Sequence, residues 1–249
     1  MIFGTVFKST WEREVGESNL NSIKGREMEL IKKGAEANLY LDDFSKVLHT
    51  AGEGKVIVKH RISKRYRVSG LDKQLRESRT ALEAKLFADA KLVGVPAPVV
   101  YEVDRIGMRI VMEFVDGRQL KLVLDKLRPK YRRKLCELIG RQVARLHLAG
   151  IIHGDLTTSN MILTREGKVY FVDFGLGEYN PSLESRGVDL HLLKRALQSI
   201  HFRIMDEAYR AVVAGYRREF GKGADEVIKR AEEIEKRGRY VAKEERMWH

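Results

Sequence analysis

Asp155, Asn160 and Asp173 stand at intervals that suit phosphoryl transfer. Asp155 lies in the run Ile151-Ile152-His153-Gly154-Asp155-Leu156-Thr157-Thr158-Ser159-Asn160, and Asp173 comes later in Phe171-Val172-Asp173-Phe174-Gly175. A carboxylate at Asp155 could orient an attacking hydroxyl or water and accept its proton. The side-chain oxygens of Asn160 and Asp173 are hard donors for Mg²⁺, whose octahedral shell phosphate oxygens and waters would complete. Singly, each residue has an ordinary explanation, since aspartate is common in turns and asparagine at caps. The conjunction in this order, between apolar runs suited to buried strands, is what points to chemistry.

The order and approximate spacing are those of a protein-kinase catalytic loop succeeded by its metal-binding Asp-Phe-Gly element. Such chemistry requires a phosphate-covering turn, a strand lysine and a helix glutamate upstream. Gly34-Ala35-Glu36-Ala37 supplies a turn between two strands, small enough for backbone N–H groups to approach a ligand, although it lacks the usual glycine pattern. Val56-Ile57-Val58-Lys59 reads as a strand ending in the required lysine. An isolated strand-end lysine is ordinarily solvated; the preceding turn gives Lys59 its weight. A helix from Asp72 to Val93 carries an apolar stripe through Leu75, Leu82, Leu86 and Ala90. Glu77 and Glu83 are both placed to pair with Lys59, and Glu83, beside the stripe in mid-helix, is preferred. After Arg109-Ile110-Val111-Met112, the stretch Glu113-Phe114-Val115 would be the hinge whose backbone hydrogen-bonds adenine, so ATP is the expected nucleotide.

Beyond Asp116-Gly117 the pattern is helical. Leu135, Leu138, Ile139, Val143 and Leu146 form a stripe of helical period, and Arg128-Pro129 marks its start. His147 closes this helix and Gly150 permits the turn into the loop. The stretch after Gly175 is short. Thirteen residues separate it from a helix near Asp189, with no Ala-Pro-Glu and with Gly154 where a phosphate-reading arginine would often stand. A phosphorylation switch and a peptide-docking platform have little room there. Asp189 could brace the catalytic loop through its backbone.

Composition narrows the classes. The chain of 249 residues is 43% hydrophobic, enough for one large domain or two lobes. No run of eighteen apolar residues occurs, which argues against a membrane partner. The single cysteine, Cys136, cannot form an internal disulfide and reads as a packed thiol, consistent with a reducing, cytoplasmic setting. A formal charge of +12 would attract polyanions, nucleic acid above all.

These readings give an α+β, bilobal, protein-kinase-like fold with a small β-rich N-lobe and a mainly helical C-lobe with a truncated activation segment. The expected divisions are an N-terminal appendage at 1–27, an N-lobe at 28–116, a C-lobe at 117–228 and a basic tail at 229–249. The appendage is inferred because Met28 opens a natural first strand and could be the native start.

From Met28 onward the sequence resembles the small atypical serine/threonine kinase and ATPase subunit of the KEOPS complex. The marks are the glycine-poor turn at Gly34, Lys59 with the run Arg61-Ile62-Ser63-Lys64-Arg65-Tyr66-Arg67 after it, and Arg79-Thr80-Ala81-Leu82-Glu83-Ala84. The loop His153 to Asn160, Asp173-Phe174-Gly175-Leu176-Gly177 and the basic Lys236-Arg237-Gly238-Arg239 complete the set. The resemblance implies ATP and Mg²⁺ as cofactors and a role in forming N6-threonylcarbamoyladenosine at tRNA position 37. It implies two protein partners: the threonylcarbamoyl-transferase subunit and a small adaptor on the N-lobe. Lys236, Arg237 and Arg239 would contact tRNA, and Lys59 to Arg67 and Arg128 to Lys134 are further phosphate-contact candidates. Three other readings compete. A RIO-type kinase of ribosome assembly is disfavoured by the Thr157-Thr158-Ser159 insert. An aminoglycoside-type phosphotransferase shares His-Gly-Asp but not the basic surface. A pseudokinase scaffold is disfavoured by the intact set Lys59, Glu83, Asp155, Asn160 and Asp173.

Overall fold

The computed structural model describes residues 21–23, 26–64 and 66–245, with side chains for 28–64 and 66–237. Most of the expected appendage at 1–27, the whole of Arg65 and the side chain of Arg239 lie outside the described residues. The chain divides into two compact units, residues 1–84 with 99–114, and residues 85–98 with 115–249. The first is built on antiparallel strands and the second largely on helices, so the mixed α+β class is borne out.

The sheet of the first unit has the order β1-β2-β3-β4-β6-β5 among the described residues: Asn21–Ile23, Arg26–Lys33, Ala37–Asp43, Lys55–Arg61, Arg109–Glu113 and Val100–Asp104. The strand expected to open at Met28 begins at Arg26, paired with the short β1, whose register sets Asn21 opposite Met28. Alternation along β4 sorts its side chains. Val56 and Val58 enter a core with Met28, Tyr40 and Val111, backed by Phe44 and Leu48 of the short helix α1 (Phe44–Leu48). Lys59 and Arg61 leave on the opposite side of the pleat. Helix α2 (Ser69–Leu92) has its residues up to Ala84 in this unit.

In the second unit, β7 (Gly117–Gln119), β9 (Met161–Thr164) and β10 (Val169–Phe171) form a small antiparallel sheet ordered β10-β9-β7, and β8 (Ile151–Ile152) pairs with β11 (Glu178–Tyr179). Between β7 and β8 come α3 (Leu120–Val123), a 3-10 turn at Leu124–Lys126, and α4 (Pro129–Leu148), which has proline in its first turn. Helices α5 (Leu183–Ile200), α6 (Met205–Phe220) and α7 (Ala224–Glu245) complete the unit. Two glycines let α4 and α6 meet backbone to backbone. A Cβ on Gly140 would sit 1.9 Å from the carbonyl oxygen of Val212, and one on Gly215 would sit 1.9 Å from that of Glu137.

The connection after Gly175 is shorter than the sequence suggests. Helix α5 starts at Leu183, so Asp189 lies well inside it rather than at its entrance. The Ser182 side chain accepts the Ser185 N–H at 3.1 Å and caps the helix. Gly187 disguises this start, because glycine in mid-pattern reads as a break. Here it is packing: a Cβ at Gly187 would lie 2.6 Å from Cγ of Arg230 on α7.

Candidate active site

The residues expected to form the site fall into two groups, one in each unit. In the first unit, Lys59 Nζ meets Glu83 Oε1 at 2.6 Å, with side chains 7% and 1% exposed. Glu77, the other candidate, instead pairs near the surface with Arg105 at 3.1 Å. The second oxygen of Glu83 is taken by the guanidinium of Arg61, whose side chain is also buried. A buried Arg61 is a correction: it offers nothing to an external phosphate chain, although the run Lys59 to Arg67 suggests a solvated basic loop.

The turn Gly34-Ala35-Glu36-Ala37 is closed by the Gly34 N–H, which donates to the carbonyl of Ala37 at 3.0 Å. Its Glu36 carboxylate accepts from Arg67 and from Arg79, each at 3.4 Å. Arg67 and Arg76 also flank Asp72, which is buried near the start of α2. Side chains of the turn, the helix and the segment after β4 therefore form one ion network. At the end of β6, the Glu113 N–H donates to the Val99 carbonyl at 2.8 Å, and its carboxylate accepts the Val99 N–H at 3.0 Å. Val115 is buried in the second unit.

In the second unit, the β9–β10 hairpin determines where the metal-ligand candidates stand. Phe171 pairs with Met161, and one residue further the Val172 N–H donates to the Asn160 carbonyl at 3.0 Å. Asn160 thus ends one arm of the hairpin, and Asp173 leaves the other. The Asn160 amide group donates to the backbone carbonyl of Asp155 at 2.9 Å and to its carboxylate at 2.8 Å. Committing its N–H groups inward leaves the amide oxygen as the atom it can offer a cation. Asp173 accepts the Gly175 N–H at 2.9 Å. An amide oxygen and a carboxylate, both hard donors, fit Mg²⁺.

The loop itself hangs on Asp189, which accepts the backbone N–H of His153 at 2.6 Å and of Gly154 at 2.9 Å. Burial alone would raise its carboxyl, but the His147 contact and the His153 N–H hold it below the usual carboxylate range. His147 is wholly buried, bonding Tyr216 Oη through Nδ1 at 2.9 Å and Asp189 through Nε2 at 3.4 Å. The carboxylate can only accept, so Nε2 is the donor in its contact with Asp189. Gly154 has a φ of 77°, and a Cβ there would sit 2.1 Å from the carbonyl oxygen of Leu176. An arginine at this position would neither adopt the backbone nor fit. His153 packs against Phe174 with ring centroids 4.7 Å apart, and burial pushes its imidazole down despite the carboxylates of Asp189, Asp173 and Asp155.

Sequence reasoning reached Asp189 but missed the link through His147 to Tyr216. A histidine closing a helix shortly before such a loop was the available signal. It also missed why the Thr157-Thr158-Ser159 insert is specific. Thr158 is buried and bonds His201 at 3.1 Å, and His201 bonds Asp125 at 3.0 Å.

Similarity to known proteins extends along most of the chain. A family model described as the RIO domain matches residues 49–177. A KEOPS complex subunit Bud32 from Pyrococcus abyssi is 51% identical over 222 residues, covering 89% of this chain and 99% of that protein. The chain belongs to the Bud32 family. A probable serine/threonine-protein kinase BUD32 homolog from Archaeoglobus fulgidus is 44% identical over 186 residues, covering 75% of this chain and 89% of the relative. A probable bifunctional tRNA threonylcarbamoyladenosine biosynthesis protein from Methanobrevibacter smithii is 43% identical over 212 residues. That match covers 85% of this chain and 37% of the relative. Bud32 membership within the RIO-like kinases favours the KEOPS reading over ribosome assembly.

Other expected sites fare differently. Lys236 and Arg237 are exposed on α7, with Arg237 3.4 Å from Glu184. Arg132, within the basic run Arg128 to Lys134, is buried and paired with Glu207 at 2.6 Å, which removes it as a phosphate contact. Cys136 is buried, and burial pushes its thiol up to about 12, so it packs rather than reacts. Among the described residues no helix is long and apolar enough to cross a membrane.

Proposed function

We propose that this chain is an ATP-hydrolysing, Mg²⁺-dependent atypical serine/threonine kinase that serves a KEOPS-type complex in forming N6-threonylcarbamoyladenosine at tRNA position 37. The observation that carries this reading is the match to a KEOPS Bud32 subunit along 99% of that protein. In this reading Asp155 orients the attacking water or hydroxyl and accepts its proton, and its contact with Asn160 fixes its carboxylate for that task. Asn160 and Asp173 would hold Mg²⁺, which when bound supplies the positive charge that polarises the phosphates. Lys59, steadied by Glu83, contacts the α- and β-phosphates. Backbone of the turn Gly34-Ala35-Glu36-Ala37 covers them, and backbone at Glu113 and Val115 receives adenine.

The bifunctional relatives support the choice of partner. In them a region like this chain makes up 37% of a protein named for threonylcarbamoyladenosine biosynthesis. The threonylcarbamoyl-transferase subunit is therefore the expected companion. A small adaptor on the N-lobe and tRNA along Lys236, Arg237 and Arg239 complete the assembly, which is cytoplasmic. The brief connection after Gly175, which leaves little platform for a peptide, favours water or a hydroxyl within the complex as acceptor.

The test is ATP turnover by the complex reconstituted with transferase subunit and tRNA. Asp155→Ala and Asp173→Ala should each lower the rate by at least about a hundredfold while leaving association with the transferase intact. Wild-type turnover in both variants would remove the catalytic assignment.

A further inference from the structure

Arg61 is the buried charge that the general kinase pattern does not require. It stands two positions after Lys59 on β4, and strand alternation sends both side chains off the same face. Both end on Glu83, one at each carboxylate oxygen, and their side chains are only 7% and 3% exposed. One negative charge thus lies between two buried positive ones. The Arg61 Nε within this group is buried and has no hydrogen-bond partner among the described residues. Burying an arginine in a group that already contains a complete ion pair is costly, so its presence calls for a compensating role.

We propose that Arg61 is a positioning residue that keeps Glu83 docked against the strand independently of Lys59. Lys59 can then turn its ammonium to a nucleotide phosphate without stranding a buried carboxylate, because Arg61 Nη2 stays on Glu83 Oε2. With lysine alone, every approach of Lys59 to phosphate would weaken the only ion pair that Glu83 has. The arrangement also removes the need for a stimulus that docks the helix. That fits a chain whose connection at 176–182 leaves little space for a phosphorylation switch. The inference rests on the phosphoryl-transfer reading of Lys59.

The experiment uses the full chain and four variants: Arg61→Met, Arg61→Lys, Glu83→Gln and the double variant Arg61→Met with Glu83→Gln. KM and kcat for ATP hydrolysis are measured, together with the shift in Tm produced by ATP and Mg²⁺. Arg61→Met should raise KM for ATP about tenfold, leave kcat within about threefold and shrink the ATP-induced shift, since one charge-assisted hydrogen bond is lost. Arg61→Lys, which keeps the charge without the fork, should recover to within about threefold of wild type. In the Glu83→Gln background, Arg61→Met should change nothing further. Wild-type KM in Arg61→Met, or effects that simply add in the double variant, would overturn the proposal. If Arg61→Met does not fold, Arg61→Gln, which also removes the charge, carries the same comparison in the two backgrounds. A wild-type chain with no ATP-induced shift overturns the nucleotide reading and this inference with it. A wild-type shift shared unchanged by the Arg61 variants overturns this inference alone.

Discussion

Glu83 and Asp189 are both buried carboxylates, each 1% exposed, but their surroundings differ in kind. Glu83 is met by the ends of two long side chains, Lys59 and Arg61. Asp189 is met by two backbone N–H groups of the loop and by His147. Ammonium and guanidinium groups on flexible stems can trade one anion for another. Backbone amides cannot leave without dismantling the loop. The first arrangement suits a charge that must move between partners during a cycle, and the second suits a geometry that must stay fixed. The proposed roles, phosphate binding by Lys59 and proton acceptance on the loop, would need those two properties respectively.

The comparison breaks most visibly at Asp189. Asp189→Ala leaves two loop N–H groups without their acceptor and His147 with Tyr216 alone. The expected cost is about 3–5 kcal/mol, seen as a drop in Tm of roughly 10 °C. The pH dependence has a definite sign. Asp189 ionises more readily in the folded protein than the ordinary 3.8, so its stabilisation is present above that value and is lost as pH falls below it. Asp189→Asn should flatten this acid limb. Superimposed acid profiles for wild type and Asp189→Asn would show that the carboxylate charge does not hold the loop.

Glu83→Ala should cost somewhat less, on the order of 3 kcal/mol, because the long stems of Lys59 and Arg61 can carry their charges toward water, whereas the two loop amides cannot move without the backbone. The difference in kind predicts rescue. Inorganic phosphate at tens of millimolar should return about 1 kcal/mol to Glu83→Ala by binding the freed cations, and nothing to Asp189→Ala. Thermal melts with and without phosphate decide it, and equal responses in the two variants would erase the distinction between exchangeable and fixed anchoring.

The two regions were also unequally legible in the sequence. Asp155, Asn160 and Asp173 announce themselves because residue type and spacing both survive in one dimension. Asp189 could be named as a brace, yet its helix was expected to begin later, because Gly187 looks like a stop signal until α7 is seen to need the space. His147 was read as a helix end, since nothing local tells that Tyr216 and Asp189 converge on it. Arg61 was the sharpest miss. In a basic run, an arginine reads as solvated, and only the pairing of β4 with α2 reveals that strand alternation buries it beside Lys59. The two-residue strands β8 and β11 were invisible for a simpler reason: two residues cannot display a period. Pairing that depends on distant partners leaves no local pattern to read.

The smallest effect expected on stability belongs to the tail, and it sharpens the comparison from outside. Glu235 on α7 is held by Lys194 at 2.6 Å, while Lys236 and Arg237 beyond it are exposed. The Arg237–Glu184 pair, with side chains 61% and 52% exposed, sits in high dielectric and adds little. Replacing Lys236 and Arg237 with alanine should move Tm by no more than about 1 °C. If these side chains meet tRNA phosphates, the same variant should weaken tRNA binding and lower the slope of log affinity against log salt by about 1 to 2. Titrations across a salt series measure both quantities. An unchanged slope with unchanged Tm would leave these cations as solvated helix surface. A changed slope would make them a third kind of charge in this molecule, neither exchanged with an internal carboxylate nor fixed by one, but kept free for an external polyanion.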